Sequence, residues 1–425
     1  MKAPNTRSYP PPSPRGFGLP RNVWVVTVTS FLTDISSEMI VNLIPLFLMN
    51  VLGVRTTLIG AIEGMAETTA SLLKLFSGWF SDRLGARKWP AVVGYGISTI
   101  AKPFLYFAGS WGSVLAVRFA DRLGKGVRTA PRDALIADSV DERRRGVAFG
   151  LHRAGDTAGA VIGIGIALAV LLAVQRNTEI LTRSTFQIVV LASMFPAVLA
   201  VLVLAFGAKE TCIPGEKRTP PSFSIAGFDS RFRRFLLIVV LFTLGNSSDA
   251  FLILRAQNAG LTVAGVLGML ITFNLVYSIV SSPAGALSDR FGRRRFLIIG
   301  WLLYTAVYAG FALAREGWHT WALMGVYGVY YGLTHGIAKA YVADLVPAER
   351  RGTAYGIYNA AVGITVFPAS LIAGMLWQGV GDWQGFGPSA PFIFGGSLAL
   401  IATLLLVVWR HDETDARTHT DRKTL

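Results

Sequence analysis

Arg118-Phe-Ala-Asp121-Arg122-Leu-Gly-Lys125-Gly-Val-Arg128-Thr-Ala-Pro-Arg132-Asp133 carries seven charges in sixteen residues. Apolar segments of membrane-spanning length lie on both sides of it. Advanced at about 100° per residue as a helix, Arg118, Asp121, Arg122, Lys125, Arg128, Arg132 and Asp133 fall within an arc of roughly 140°. Ala120, Leu123, Val127, Ala130 and Ala134 fall on the other side, which would suit lipid. One charge at the bilayer centre costs about 2.5–3.5 kcal/mol, so seven facing lipid would cost roughly 20 kcal/mol. If this helix crosses a membrane, its charged stripe must face a polar interior and become a working surface. The alternative is a cytoplasmic loop, and the second half of the chain decides between the two.

The chain has 425 residues, 52% hydrophobic and 15% charged, with a mean hydropathy of +0.50. That is far too apolar for a soluble protein, where about a quarter of residues are charged. Its 45 glycines suit helices packed closely in a membrane. Apolar stretches predict helices near 24–50, 58–80, 90–108, 112–136, 147–173, 185–206, 234–257, 263–285, 296–314, 320–343, 353–378 and 389–409. With the N-terminus inside, the cytoplasmic segments hold roughly 26 Lys and Arg and the outer loops roughly 4, as the positive-inside rule requires for twelve spans. The net charge of +15 therefore reflects topology and not a nucleic-acid partner. A single cysteine, Cys212, leaves no intrachain disulfide and no thiol metal cluster. His152, His319, His335, His411 and His419 include no metal-ligand pair at helical spacing.

The chain repeats itself at an offset of about 207 residues. Gly78-Trp-Phe-Ser-Asp82-Arg83-Leu-Gly85-Ala-Arg87-Lys88 returns as Gly285-Ala-Leu-Ser-Asp289-Arg290-Phe-Gly292-Arg293-Arg294-Arg295. Ala137-Asp138, Arg144-Arg145-Gly146 and Phe149-Gly150 return as Ala343-Asp344, Arg350-Arg351-Gly352 and Tyr355-Gly356, and Ser36-Ser37-Glu38 is echoed by Ser247-Ser248-Asp249. The charged stretch aligns with Tyr327-Gly-Val-Tyr-Tyr331-Gly-Leu-Thr-His335-Gly-Ile-Ala-Lys339, a clearly apolar segment. If the tenth segment spans, its counterpart in the fourth spans too. The expected organisation is a disordered, proline-rich cytoplasmic tail (1–22), a six-helix bundle (23–206), a cytoplasmic linker (207–233), a second six-helix bundle (234–409) and a polar cytoplasmic tail (410–425). The first tail does not resemble a signal peptide, and the last has no lipidation motif.

Twelve predicted helices in two repeats, with Gly-x-x-x-Asp-Arg-x-Gly-x-Arg after the second and eighth, resemble the major facilitator superfamily over about residues 23–410. The resemblance implies an all-α membrane protein with twelve transmembrane helices in two six-helix bundles. In the first copy Ala86 replaces a usual basic residue. The loop joins two helices through a tight turn, which Gly85 and Gly292 permit, while Gly78 and Gly285 would allow close helix approach. The resemblance makes Gly78, Asp82, Arg83, Gly85, Arg87, Gly285, Asp289, Arg290, Gly292 and Arg293 a gating motif. In it Asp82 meets the start of helix eleven near Gly352 and locks the cytoplasmic side until the halves rock. A loop that is basic for topology alone is the plainer alternative.

Arg122-Leu-Gly-Lys125-Gly126-Val-Arg128-Thr-Ala130 is similar to the Arg-x-x-Gln-Gly-x-x-x-Ala motif of drug–proton antiporters in that superfamily, with lysine in the glutamine position. The resemblance implies that Arg122 takes part in proton coupling through a nearby carboxyl group. Gly155-x-x-x-Gly159-x-x-x-Gly163 resembles the antiporter motif of helix five, although Ala160 and Ile164 depart from it; such spacing also suits close packing alone.

Further ionisable residues lie within the predicted spans: Asp34 and Glu38, with Asn42 a turn on, in helix one; Glu63, Glu67 and Lys74 within about 40° of arc in helix two; Lys102 in helix three; His152, Arg153 and Asp156 in helix five. The second half offers Asp249, Arg255, His335 and Lys339, with Asn246, Asn274, Tyr277, Tyr331 and Asn359. Ion pairs between helices explain many of these, Glu63, Lys74, Lys102 and Arg118 among them, and an interhelical hydrogen bond suits His152. A carboxyl held between burial, which disfavours its charge, and an arginine, which favours it, can exchange a proton as access alternates. Asp34, Glu38 and Asp156 are candidates. Proton-coupling and cavity residues are thus expected among Asp34, Glu38, Glu67, Arg122, Lys125, Arg128, Arg132, Asp133, Arg153, Asp156, Asp249 and Lys339. The intramembrane cations suggest an anionic group on the solute, although nearby acids roughly neutralise them.

The leading expectation is a monomeric, proton-coupled secondary transporter of a small solute in the cytoplasmic membrane, needing no cofactor and favouring export. Import of an organic anion or metabolite, or efflux of a divalent metal through Asp34, Glu38, Glu67 and Asp156, are alternatives; the surrounding cations argue against metal. A non-transporting sensor is a further one. No zincin helix, nucleophile elbow or phosphate-binding loop marks an enzyme or a primary pump.

Overall fold

The computed structural model describes residues 18–141, 144–175, 177–211, 225, 227–347 and 350–409. Both tails beyond residues 18 and 409, most of the linker with Cys212, and Arg143 lie outside the described residues. Among the described residues twelve helical spans follow one another: α1 (Arg21–Val51), α2 (Thr56–Leu84), α3 (Lys88–Ala101, continued as a 3₁₀ turn over Lys102–Phe107), α4 (Trp111–Ser139), α5 (Arg145–Val174), α6 (Arg183–Gly207), α7 (Ser230–Asn258), α8 (Val263–Phe291), α9 (Arg293–Leu313), α10 (Gly317–Asp344), α11 (Arg351–Gln378) and α12 (Ala390–Val408). Eight are long and apolar enough to cross a membrane by composition alone. The other four are α2, α3, α4 and α10. The charges that lower the hydropathy of α2 and α4 are, for the most part, turned toward partners inside the bundle.

The decisive stretch lies in one continuous helix. The 29 residues of α4 span about 44 Å at 1.5 Å per residue, more than a bilayer core. A reciprocal Ser110–Ser113 capping box starts it, and Pro131 is carried inside it. It is wedged between α2 and α3, where glycines bring backbones close. A side-chain carbon on Gly124 would lie 2.5 Å from the Gly94 carbonyl oxygen, and one on Gly126 2.5 Å from Leu73 Cβ. The apolar side of α4 is therefore not all lipid-facing as expected: Ala130 packs against Gly78 of α2.

Two spans are broken. α1 bends after Val41, before Pro45, and finishes in a π turn over Phe47–Val51, since proline cannot donate to the helical ladder. α7 was expected to run unbroken over 234–257. It stops at Gly245 and resumes at Ala250, and the freed Ser248 amide donates to Ser370 Oγ of α11 at 3.1 Å.

The halves meet along α2 with α11 and α5 with α8. Near the α1–α2 loop Thr56 N donates to Gln378 Oε1 at 2.8 Å and Thr57 Oγ1 to the Gly379 carbonyl at 2.7 Å, and at mid-helix Thr68 Oγ1 donates to the Gly363 carbonyl at 2.6 Å. A side chain on Gly60 would lie 2.2 Å from the Ser370 carbonyl oxygen. Arg55 also reaches the Gly381 carbonyl, and Val263 N that of Thr178, at the same end. In the first half α5 lies on α1 through Gly155, Gly159 and Gly163, each within 2.9 Å of α1 atoms for an added carbon, which is the close-packing role of that motif.

Candidate functional site

The ionic residues of the first half sort into a set locked between helices and a set along the seam that solvent reaches in part. In the first, Arg118 pairs with Glu63, both all but inaccessible. Lys102 donates to Ser36 Oγ at 2.7 Å and Ser37 Oγ at 3.1 Å. Arg128 donates to Ser98 Oγ at 2.6 Å and lies 4.5 Å above the Tyr95 ring, so it is turned toward α3. These contacts tie α4 to α2 and α3, and, through Lys102, α3 to α1.

In the second set Arg122 reaches Glu67 Oε1 at 3.0 Å; the arginine side chain is 7% exposed, the glutamate 39%. Lys125 is exposed beside them. Asp34 faces Asp156, Glu38, Lys125 and Arg128, and Asn42 donates to Glu38 Oε2 at 2.9 Å. Arg132 pairs with its neighbour Asp133 at 2.8 Å. The imidazole Nε2 of His152 stands 3.6 Å from Asp156 of the same helix. The interhelical bond expected of His152 is not found among the described residues, because both ring nitrogens lack a hydrogen-bond partner.

The second half contributes rings instead of charges. Asp249, placed at the break in α7, accepts from Tyr327 Oη at 3.0 Å and from Tyr331 Oη at 3.5 Å. Phe273, Tyr277 and Tyr331 meet edge to face or stacked within 6.2 Å. Arg153 crosses between the halves, lying 5.6 Å over the Tyr277 ring and donating to its hydroxyl at 2.5 Å. Lys339 and His335 are exposed on α10. The sequence reading named Tyr277 and Tyr331 but missed Tyr327 and Phe273. Tyr327, Tyr330 and Tyr331 stand at helical i, i+3, i+4 spacing, a signal that was available.

The gating loops are wired within each half. Asp82 pairs with Arg87, whose Nε also reaches Asp138 at 3.3 Å. In the second half Arg293 bridges Asp289 at 2.9 Å and Asp344 at 2.7 Å. The bridging arginine sits one place later in the first copy, so Arg87 supplies the contact that Ala86 cannot. Gly85 takes a left-handed φ of 62° and Gly292 one of 97°, the turn expected of both. Arg83 lies over Trp79 at 5.5 Å. Arg290 is exposed. Gly78 makes its close approach, but a side chain on Gly285 would meet nothing within 4 Å, so that glycine is not needed for packing. Glu210, not anticipated, accepts the backbone amides of Arg87 and Lys88 at 2.6 and 3.0 Å, an acid where the α3 dipole favours one.

Two six-helix halves around a charged, solvent-reached seam define a multi-pass membrane transporter, not an enzyme. The family model for the Major Facilitator Superfamily matches residues 26–262 and again 223–424, and the chain belongs to that superfamily. It is 36% identical over 395 residues to an uncharacterized MFS-type transporter of Methanocaldococcus jannaschii, covering 92% of this chain and 95% of that one. The class B tetracycline resistance protein of Escherichia coli is 24% identical over 170 residues, 40% of each chain. The structure of a D-xylose-proton symporter superposes with a TM-score of 0.71 at 16% identity, over 92% of this chain and 97% of that one, which speaks to the fold alone.

Proposed function

We propose that the chain is a proton-coupled secondary transporter that exports a small organic solute with an anionic group across the cytoplasmic membrane. In this reading the protein acts as a monomer, both tails and the 207–233 linker are cytoplasmic, and the bundles 23–206 and 234–409 rock about the seam. The observation that carries the reading is the Arg122–Glu67 pair, reached by solvent and flanked by Lys125, with Asp34, Glu38 and Asp156 close by. Arg122 begins the antiporter-like motif, and a proton or an anion arriving there changes the balance of a compact charge set. The partial similarity to a tetracycline resistance protein favours export. The seam is tight at the end away from the basic loops, which fits a cavity facing the cytoplasm. Divalent-metal efflux has less support, since no three His, Cys, Asp or Glu side chains converge among the described residues.

Proteoliposomes with an acid interior test the reading. Uptake of labelled organic anions, compared with tetracycline, is expected to follow the imposed pH gradient and to stop with a protonophore. Uptake unaffected by the protonophore would overturn proton coupling. Uptake driven only by an alkaline interior would make the protein a symporter.

A further inference from the structure

Four carboxylates of the seam are already engaged: Glu67 by Arg122, Asp133 by Arg132, Asp156 beside His152, Asp249 by two tyrosines. Three lysines are not. Lys74, Lys125 and Lys339 are exposed, and none lies within salt-bridge distance of a carboxylate among the described residues. They come from α2, α4 and α10, that is, from both halves. Leu73 packs on Gly126, which sets Lys74 next to Lys125, and Lys74 also faces Lys339. Measured along each helix from its basic-loop end, Lys339 lies roughly 8 Å in, Lys74 roughly 15 Å and Lys125 roughly 21 Å. The ammonium groups thus form a ladder from the mouth to the middle of the protein. Arg153 and His335, each held against a tyrosine ring, flank it.

Acids stand near all three, Asp133 by Lys74 and Lys339 and both Glu67 and Asp34 by Lys125, but none at ion-pair distance, and a graded row of cations draws anions inward. We infer that Lys74, Lys125 and Lys339 form the anion subsite of the cavity, and that its solute carries at least two negative charges, as a phosphate or as paired carboxylates. This rests on the exporter reading for its physiological direction, but not for the binding itself. Because the subsite draws on both halves, the anion also lets them approach at the cytoplasmic end, where the bare lysines would oppose closure.

The test uses purified full-length protein, with thermal unfolding followed during titration by inorganic phosphate, by citrate, and by chloride at matched ionic strength. Saturable stabilisation by phosphate or citrate, absent with chloride, is expected; which of the two acts identifies phosphate or paired carboxylates. Lys74→Gln and Lys339→Gln should each weaken the apparent affinity about tenfold, the loss of one charged contact. Lys74→Arg should restore it, and Lys88→Gln, outside the cavity, should leave it unchanged. Calorimetric titration of the same variants covers any that unfold early. A chloride response equal to that of phosphate, no saturable response to either polyanion, or full affinity in the Lys74→Gln/Lys339→Gln double variant would overturn the assignment. Gradient-driven export of a singly charged organic anion by a protein silent to polyanions would remove this inference and leave the exporter reading standing. Saturable polyanion binding without pH-driven flux would do the reverse.

Discussion

Arg350 Nη1 donates to the Gly227 carbonyl at 2.5 Å, fastening the loop before α11 to the turn that enters α7. Arg144 does the same to Gly18 at 2.8 Å in the first half. Both glycines have left-handed φ, 89° and 64°, so each clamp holds a turn that few residues adopt. Arg350→Ala should lower stability by about 1 kcal/mol, as for an exposed charged hydrogen bond. Unfolding in nanodiscs would read this as a lower midpoint; an unchanged midpoint would show that the clamp is idle.

Two carboxylate–arginine pairs stand one turn apart on α2, and burial separates their roles. Glu63→Gln leaves the Arg118 charge uncompensated where its Nε and Nη1 already lack partners, and should cost about 3–5 kcal/mol. Glu67→Gln, in a pair open to solvent, should cost under about 1 kcal/mol yet impair gradient-driven flux. Equal losses of stability in the two variants would contradict this division.

The α2–α11 seam predicts how the conformational balance responds. Gly60→Ala would thrust a methyl group against the Ser370 backbone and should open the outer end. Asp82→Asn removes the charge that pairs with Arg87 and, on the gate reading, should shift the protein toward cytoplasm-open forms. Spin labels at Gly53→Cys and Asp382→Cys, in a background with Cys212 replaced, should move apart in Gly60→Ala. A distance distribution identical to that of the parent would reject the seam as the closing surface.

Arg122→Ala should abolish flux driven by a pH gradient while leaving folded protein in the membrane, because Glu67 then loses its cation at 3.0 Å. Near-normal coupled flux in that variant would remove Arg122 from the coupling scheme.

Much of this molecule can be read from one dimension. Charge at helical spacing between apolar segments, repeated plan and basic-loop bias give the twelve spans and both signature turns. The positions of Asp34, Glu67, Arg122 and Asp249 near the seam also follow, since a charge in a membrane helix has to turn inward. What the stripe cannot say is which neighbour each charge meets. Arg118, Arg128 and Lys125 share one arc of α4, yet the first two are bound to Glu63 and Ser98 while Lys125 stays open to solvent. Lys74 was grouped with structural ion pairs, but the structure leaves it beside two other lysines.

The sequence by itself determined where the twelve spans fall and that the charged stripe of α4 turns inward, because both follow from local periodicity and the cost of placing charge in hydrocarbon. Only the tertiary structure decided the partners: Arg87 in place of Ala86, tyrosines from α10 on Asp249 at a broken helix, three lysines from two halves. Those depend on how far apart and at what rotation the helices pack, which glycine contacts between distant segments set and no single segment encodes.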